Sequence, residues 1–352
     1  MAGADLVRAV VFGLTIAFAG VVGAMAIAQP AAMDFIAHYA AASLVLSGNG
    51  PGILDPAAGL SAERAAAPAR EHLLPLLQVP ALALIRAPIA LLPFETAFAL
   101  MAVVDVAMIV ASVAMLVPRE RSIAAMLLVA PPSAVAVAHA QTSPLALLLV
   151  ALALRLGPRA GGLALGLTLL RIQSAPLLIL AGLIEPARRV WALAGALVVL
   201  AASAAVVGVD GLVRYAGLLV AGTDLLRTGE FGMRAAIGWS GLGLSVGAPQ
   251  LGVAASLVSF AVGAVVVARS GSAERPAVAA AWSLLAAPNL LIHDAVLAYP
   301  ALLMLASRRS LWDAASTVAW LGHVLVAPVG ILWSGVLVIA LVRRSAPPRR
   351  GP

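Results

Sequence analysis

Long apolar segments, separated by shorter polar ones, follow one another along most of this chain. The first covers about residues 7–28, and others of the same kind recur as far as residue 342. An α-helix needs about 20 apolar residues to cross the hydrocarbon core of a bilayer. The pattern therefore predicts an all-α, polytopic membrane protein with about 12 membrane helices (roughly 10–13) in a single domain over residues 1–342.

Two longer polar stretches interrupt the apolar series, at about residues 29–72 and 208–250. We expect them to form two long loops on one side of the membrane. The basic, proline-rich residues 343–352 are predicted to be a disordered tail.

Two of the apolar segments contain a polar break. Residues 123–154 are interrupted at 139–144 (HAQTSP), and residues 161–184 at 171–176 (RIQSAP). Each segment is predicted to be two short helices that meet at a polar elbow. Irregular backbone at membrane depth is tolerated only where it is buried in protein or lines a cavity, and broken helices often form binding sites.

Composition excludes a soluble protein. Hydrophobic residues make up 63% of the 352 and charged residues 11%, against about 45–50% and 25% in soluble domains. The absence of cysteine excludes disulfides and thiolate catalysis. Nucleotide-binding glycine motifs and metal-ligand spacings are missing, so neither a cofactor nor a metal is expected.

Basic residues lie in short clusters between the apolar segments, which is the positive-inside pattern of cytoplasmic loops. We therefore expect both termini in the cytoplasm of a bacterial inner membrane, both elbows and both long loops on the outer face, and no nucleic-acid partner. The clusters are Arg119/Arg121, Arg155/Arg159, Arg188/Arg189, Arg269/Arg275, Arg308/Arg309, Arg343/Arg344 and Arg349/Arg350. Residues 73–92 leave one conflict: if this proline-broken segment crosses the membrane fully, Arg119/Arg121 would lie outside, so either the segment is re-entrant or that cluster is an exception.

Candidate chemistry begins just after the first span. Asp34 and His38 are four residues apart and would share one face of a helix. A partly shielded carboxylate near the membrane surface can act as a general base. The alternative is that Asp34 caps the helix that follows, a position that aspartate favours.

Further ionisable residues lie at or near membrane depth, where such groups are functional candidates by default. Arg171 suits a phosphate because its guanidinium offers a planar fork of donors, but a buried ion pair or helix contact is equally open. His293 and Asp294 are either an acid–base or substrate-orienting pair, or a helix cap with a structural histidine. His139 and Gln141 could simply satisfy backbone groups at their elbow.

Several motifs, in order along the chain, resemble family 87 glycosyltransferases, which are multi-spanning enzymes of the GT-C type. Residues 34–42 (DFIAHYAAA), Gly48 and residues 54–56 (LDP) are similar to the family's opening D-F-x-x-Y-Y-x-A-A, G and Y-D-P. Residues 78–80 and 87–93 resemble Y-P-P and P-L-x-L-L-P, residues 130–133 and 140–143 resemble P-P and G-Q-x-S, residues 171–173 resemble K-P-Q, and residues 288–294 resemble P-H-x-x-x-Y-D.

The match is exact at some functional positions and altered at others. Asp34, Gln141, Gln173 and Asp294 agree with the family pattern. Arginine stands for lysine at Arg171, histidine for tyrosine at His293 and alanine for glycine at Ala140, and further changes lie at residues 78, 79, 172 and 289.

The resemblance implies a GT-C-like hexosyltransferase. Its donor would be a polyprenyl-phosphate sugar, usually mannose, drawn from the membrane lipids, and its acceptor a lipid or glycan on the extracytoplasmic face. Asp34 would be the general base of an inverting reaction, and Arg171 and Gln173 would bind the donor phosphate. The other expected substrate contacts are His38, Tyr39, Gln78, Gln141, His293 and Asp294.

Two other functions remain open on the sequence. A transporter or flippase for a lipid-linked or small solute would show internal symmetry and a site at the bilayer midplane. A catalytically inactive relative would not need Asp34.

Overall fold

The computed structural model describes residues 2–29, 33–116, 121–227, 238–287 and 290–306. Within these residues the regular elements are α-helices and short 3-10 helices, with no strand. The predicted spans at 313–327 and 331–342, the tail and the three C-terminal arginine clusters lie outside the described residues. The α-helices are α1 (Ala2–Ala28), α2 (Phe35–Leu46), α3 (Pro56–Ala66), α4 (Ala81–Arg86), α5 (Phe94–Leu116), α6 (Arg121–Val129), α7 (Pro131–Ala138), α8 (Ser143–Arg155), α9 (Pro158–Leu167), α10 (Ala175–Ile184), α11 (Pro186–Val207), α12 (Val209–Arg227), α13 (Trp239–Ser245), α14 (Pro249–Arg269), α15 (Arg275–Ala286) and α16 (Tyr299–Ala306).

Three of the described helices, α5, α11 and α14, are long and apolar enough to cross a membrane. At 1.5 Å per residue, a helix of just over 20 residues spans about 30 Å, the thickness of the hydrocarbon core. Their outward faces carry exposed apolar side chains such as Val103, Val190 and Leu251, which suits contact with lipid. The all-helical membrane architecture is confirmed, and the count of about 12 crossings stays a prediction.

Both predicted elbows are present. The first lies between α7 and α8, where Ala140 adopts a left-handed backbone with φ of 46°. Its neighbours close the end of α7, since the amide of Gln141 donates to the carbonyl of Ala136. The second lies between α9 and α10, where a 3-10 turn, Thr168–Leu170, is followed by the irregular residue Arg171. Pro144 and Pro176 sit in the first turns of α8 and α10, where proline is tolerated.

The elbows and the arginine clusters lie at opposite ends of the helices that connect them. Helix α8 starts at the first elbow and carries Arg155 in its last turn; α10 starts at the second elbow and is followed by Glu185. Contacts join the basic ends across elements: Arg155 Nε to the carbonyl of Met115 (2.5 Å), Arg188 Nη1 to the carbonyl of Ala153 (2.9 Å), and Arg275 Nη1 to Glu185 Oε2 (2.8 Å). Arg155, Arg188 and Arg275 therefore lie at neighbouring helix ends, and the cytoplasmic placement of the basic clusters stays a prediction.

Residues 73–92 form no membrane-crossing helix. They contain only α4, six residues long, and a five-residue 3-10 helix, Ala87–Leu91, whose combined rise of about 19 Å falls short of the core thickness. Part of the segment is packed inside the protein, where the amide of Ala81 donates to Ser203 Oγ of α11 at 3.1 Å, while Ile85 and Leu91 are exposed. The segment therefore does not cross as a single helix, and its re-entrant path stays a prediction.

The predicted outer loops are largely helical. Residues 29–72 include α2, a 3-10 helix (Gly50–Leu54) and α3, and α3 begins where Asp55 caps the amide of Ala57 at 3.0 Å. Residues 208–250 include α12 and α13, so the second stretch is more ordered than its glycine-rich sequence predicts.

Helices α9 and α11 pack with their backbones in close approach. Gly162 and Gly166 are four residues apart on α9, and Gly166 faces Gly195 on α11, the small-residue arrangement that lets membrane helices meet closely. A methyl group added at Gly166 would collide with the backbone of Ala192. This contact fixes α9, and with it the elbow that carries Arg171.

Candidate active site

Asp34 is bound to the first elbow and does not cap α2. Although it occupies the position before α2, its side chain makes no capping hydrogen bond. Its Oδ2 instead accepts a hydrogen bond from Nε2 of Gln141 at 2.5 Å and lies 3.4 Å from Nδ1 of His139. Of the two sequence interpretations, the capping role is therefore not observed, and the carboxylate faces other polar side chains.

The environment of Asp34 favours its ionised form. Burial raises the pKa of this carboxyl, but the nearby imidazole of His139, the attraction of His293 and the Gln141 hydrogen bond together hold its pKa below the usual value. The carboxylate is thus available to accept a proton. Its side chain keeps 30% of its surface exposed, so a substrate hydroxyl can reach it.

Arg171 is fixed by partners on two other elements. Its Nη1 donates to Oγ1 of Thr142 on the first elbow, and its Nη2 donates to Oδ1 of Asp294. Nη2 also lies 3.3 Å from Nε2 of His293. The side chain is almost fully buried, and the buried ion pair that the sequence left as an alternative is present. Its Nε has no hydrogen-bond partner among the described residues.

Asp294 is held in place by a backbone amide of its own segment. It lies in the 3-10 helix Ile292–Ala298, and its Oδ2 accepts from the amide of Leu291 at 3.0 Å. This leaves Oδ1 for Arg171. The neighbouring His293 ring lies 6.3 Å, centre to centre, from that of His139, so the 291–294 segment reaches both the arginine and the aspartate halves of the site.

The first elbow links the two halves directly. Gln141 binds Asp34 and the next residue, Thr142, binds Arg171. Asp34 and Arg171 thus share one elbow, and Asp294 joins it through Arg171, while a common cavity and the roles of these residues stay predictions. A partly exposed carboxylate and a fixed guanidinium on one elbow can remove a proton at one point and stabilise negative charge at another.

The other predicted substrate contacts differ in their surroundings. His38 is buried, its Nδ1 has no hydrogen-bond partner in the part of the chain that the structure describes, and it lies in electrostatic range of Arg171 and His293. Gln173 makes a long contact of 3.4 Å from Nε2 to the carbonyl of Leu77, and the Oε1 atoms of both Gln173 and Gln78 lack partners among the described residues. Buried polar atoms are normally hydrogen-bonded, so such a group is typical of a place that receives a polar ligand.

Tyr39 has a packing role. Its hydroxyl donates to the carbonyl of Leu92 at 2.8 Å, and its ring meets Phe94 edge-on at 5.3 Å. Both partners belong to the protein interior beside α2. Its contact with substrate stays a prediction.

Three ionisable residues near the site were not among the sequence-predicted functional positions. His139 had a structural alternative at its elbow, and it proves to be the residue beside Asp34. Arg86 and Asp105 are both buried, and each is a charge inside an apolar stretch, which was the available signal. Among the described residues no group of three or more His, Cys, Asp or Glu side chains is arranged to hold a metal ion.

Comparison with known proteins assigns the chain to a family. Searches of curated proteins and of solved structures give no significant match. The sequence model of glycosyltransferase family 87 matches residues 79–300, more than half of the chain. This range includes Gln141, Arg171, Gln173, His293 and Asp294, and it begins after Asp34, His38, Tyr39 and Gln78. With its apolar helices and this match, the chain is a membrane protein that belongs to glycosyltransferase family 87.

Proposed function

We propose that this protein transfers a hexose, with mannose the first candidate, from a polyprenyl-phosphate sugar to a lipid or glycan acceptor. Membership of the family supports glycosyl transfer in a membrane. The observation that carries the finer assignment is the shared elbow: Asp34 and Arg171 are bound by consecutive residues, Gln141 and Thr142. A base and a cation held in this way can act on the two ends of one displacement.

In the proposed reaction Asp34 is the general base. It takes the proton of the acceptor hydroxyl while that oxygen attacks the anomeric carbon of the donor sugar. The bond between this carbon and the phosphate oxygen breaks, and its electron pair leaves with the polyprenyl phosphate. Attack from the face opposite the phosphate inverts the configuration. The step balances without a nucleotide or any other cofactor.

Arg171 would stabilise the charge that develops on the leaving phosphate. Thr142 and Asp294 already fix the guanidinium, so no reorganisation is needed when the bond breaks. Its Nε keeps a free N–H among the described residues. Gln173 would add a neutral donor to the phosphate, and the unpartnered amide oxygen of Gln78 suits a sugar hydroxyl.

The direction of the helices supports a site on the extracytoplasmic face. The arginine ends of α8, α11 and α15 lie together, away from the elbows. Because basic loops remain in the cytoplasm, the elbows would open to the other side of a bacterial inner membrane. A lipid-linked donor and its acceptor would meet the enzyme there.

The test is transfer by the purified full-length protein, supplied with polyprenyl-phosphate mannose and membrane-lipid acceptors. We expect Asp34→Asn to lower the turnover rate by about 10²–10⁴-fold, the usual contribution of a positioned base. Asp210→Asn is the matched control, since Asp210 is an exposed acid on α12. Equal turnover by Asp34→Asn and wild type would remove the base assignment.

The same preparation separates the rival functions. Reconstituted in vesicles, a transporter would move a lipid-linked sugar across the bilayer without forming a new glycosidic bond. Transfer from a nucleotide sugar, but not from the lipid-linked sugar, would reject the donor class. The anomeric configuration of the product, read by NMR, checks inversion.

A further inference from the structure

Among the described residues, Arg86 is a buried cation without a contacting counter-charge. It ends α4 in the segment 73–92 and is only 5% exposed. Its Nη2 donates to the carbonyl of Ala140 at 3.1 Å, and its guanidinium carbon lies 5.7 Å from the ring centre of Phe35. Its Nη1 is buried and has no hydrogen-bond partner among the described residues. Such an arrangement is costly for a charged group unless something else satisfies it.

The nearest carboxylate does not fill this role. Asp105 on α5 attracts Arg86 electrostatically, but the two make no ion-pair contact, and both carboxylate oxygens of Asp105 lack hydrogen-bond partners among the described residues. An ion pair would show direct contact, as Arg171 and Asp294 do. Arg86 therefore keeps a donor group for another partner.

The position of Arg86 indicates what that partner is. It binds Ala140, which directly precedes the two elbow residues that hold Asp34 and Arg171. Arg86 and Arg171 are close enough to repel one another, and both act on His38. Arg86 has no ion-pair contact among the described residues and Arg171 keeps Nε unpartnered there, so an anion that contacts both is favoured, and guanidinium groups match the geometry of phosphate oxygens.

We propose that Arg86 is a second phosphate-binding residue, which clamps the phosphate of the lipid-linked donor together with Arg171. The inference rests on the proposed donor class and adds a residue that lies outside the motifs used to recognise it. The phosphate would receive Nη1 of Arg86 on one side and Nε of Arg171 on the other. The same contact would hold the product, polyprenyl phosphate, before its release.

A binding experiment tests the role of Arg86 without catalysis. It compares polyprenyl monophosphate with the uncharged polyprenol of equal chain length. Wild-type protein in detergent should prefer the phosphate. Arg86→Gln should lower that preference by about tenfold or more, because a hydrogen bond to a charged group is lost. Arg214→Gln, which removes the same charge from an exposed position on α12, should leave the preference unchanged.

Two further variants keep the result decisive. Arg86→Lys retains the charge but not the planar fork, so its preference should fall between those of wild type and Arg86→Gln; it carries the test if the glutamine variant does not fold. Asp105→Asn should preserve or raise the preference, because Asp105 makes no contact with Arg86 and its loss removes only a competing attraction. If the glutamine and lysine variants both keep the wild-type ratio, Arg86 is structural and the inference is wrong. If wild type itself does not distinguish phosphate from alcohol, the proposed donor class is rejected instead.

Discussion

Asp34 and Gln141 are 107 positions apart in the chain, and a 2.5 Å hydrogen bond joins their side chains. The bond ties the start of α2 to the elbow between α7 and α8. It orients one carboxylate oxygen, while the remaining exposure of the side chain leaves it accessible. The following residue of the elbow does the same for Arg171, so one short irregular segment positions both halves of the site.

We expect His139→Gln to move the acid limit of activity to higher pH. Transfer needs ionised Asp34, so activity is present above the pKa of this group and is lost as the pH falls through it. In wild type, partial burial raises the pKa of Asp34, but His139, His293 and Gln141 outweigh this effect and hold the pKa below its usual value. Protonation of Asp34 should therefore not lower wild-type activity above about pH 5. Without His139 the pKa rises, and activity falls at a higher pH.

The measurement is the turnover rate as a function of pH for both proteins. His72→Gln is the control, because His72 is exposed and lies outside the site. Superimposable profiles for His139→Gln and wild type would show that His139 does not act on Asp34.

We expect substitutions at Arg171 and Asp294 to have strongly coupled effects on the free energy of unfolding. Either Arg171→Gln or Asp294→Asn leaves an uncompensated buried charge, which costs about 3–5 kcal/mol. The double variant removes both charges, so its loss should be well below the sum of the two single losses. Thermal unfolding in detergent measures this. The partly exposed pair Arg275 and Glu185 should show much weaker coupling in the same cycle; additive losses at Arg171 and Asp294 would contradict an ion pair.

Ala140→Gly should unfold at the same temperature as wild type or higher. Relief of the left-handed conformation of Ala140 gains about 1–2 kcal/mol, which offsets the roughly 0.8 kcal/mol lost with a buried methyl group. Ala138→Gly is the matched control on the last turn of α7. There the helix propensity and the methyl group are both lost, for a total of about 2 kcal/mol. A lower melting temperature for Ala140→Gly than for Ala138→Gly would contradict this account of the elbow.

Gly166→Ala should destabilise the protein and weaken transfer. The added methyl collides with the backbone of α11, and such overpacking costs about 1–3 kcal/mol. The shift of α9 would also displace the elbow that carries Arg171. Gly217→Ala on α12, where an added methyl meets nothing within 4 Å, should be neutral or slightly stabilising. Melting temperature and turnover, measured on both variants, check the pair; equal behaviour would contradict close packing at Gly166.

Parts of the fold followed from local chemistry. Pro144 and Pro176 cannot continue a helix, and polar residues precede each of them, so both breaks could be placed from the sequence. Residues 208–227 show the opposite case. Their glycines and charges predicted a loop, yet they include helix α12, because contacts with neighbouring elements outweigh weak local propensity.

For the candidate site, the sequence predicted which residues belong to it but not how they are arranged. Charges in an apolar setting singled out Asp34, Arg171 and Asp294, since such residues are too costly to keep without a purpose. The same argument applies to Arg86, a charge in the apolar, proline-broken segment 73–92 that was not among the predicted site residues. The sequence also left Asp34 between capping a helix and facing the site.

By itself the sequence determined that this protein is helical and lies in a membrane, because it has too few polar residues to cover its apolar residues in water. It also determined where the helices break. Only the tertiary structure decided which polar groups meet: that Asp34 turns to Gln141, that Arg171 takes Asp294, and that Arg86 is left with a free donor. Hydrogen bonds act over about 3 Å, and distances of that size between residues more than 100 positions apart are set by helix packing, which no local pattern in the chain encodes.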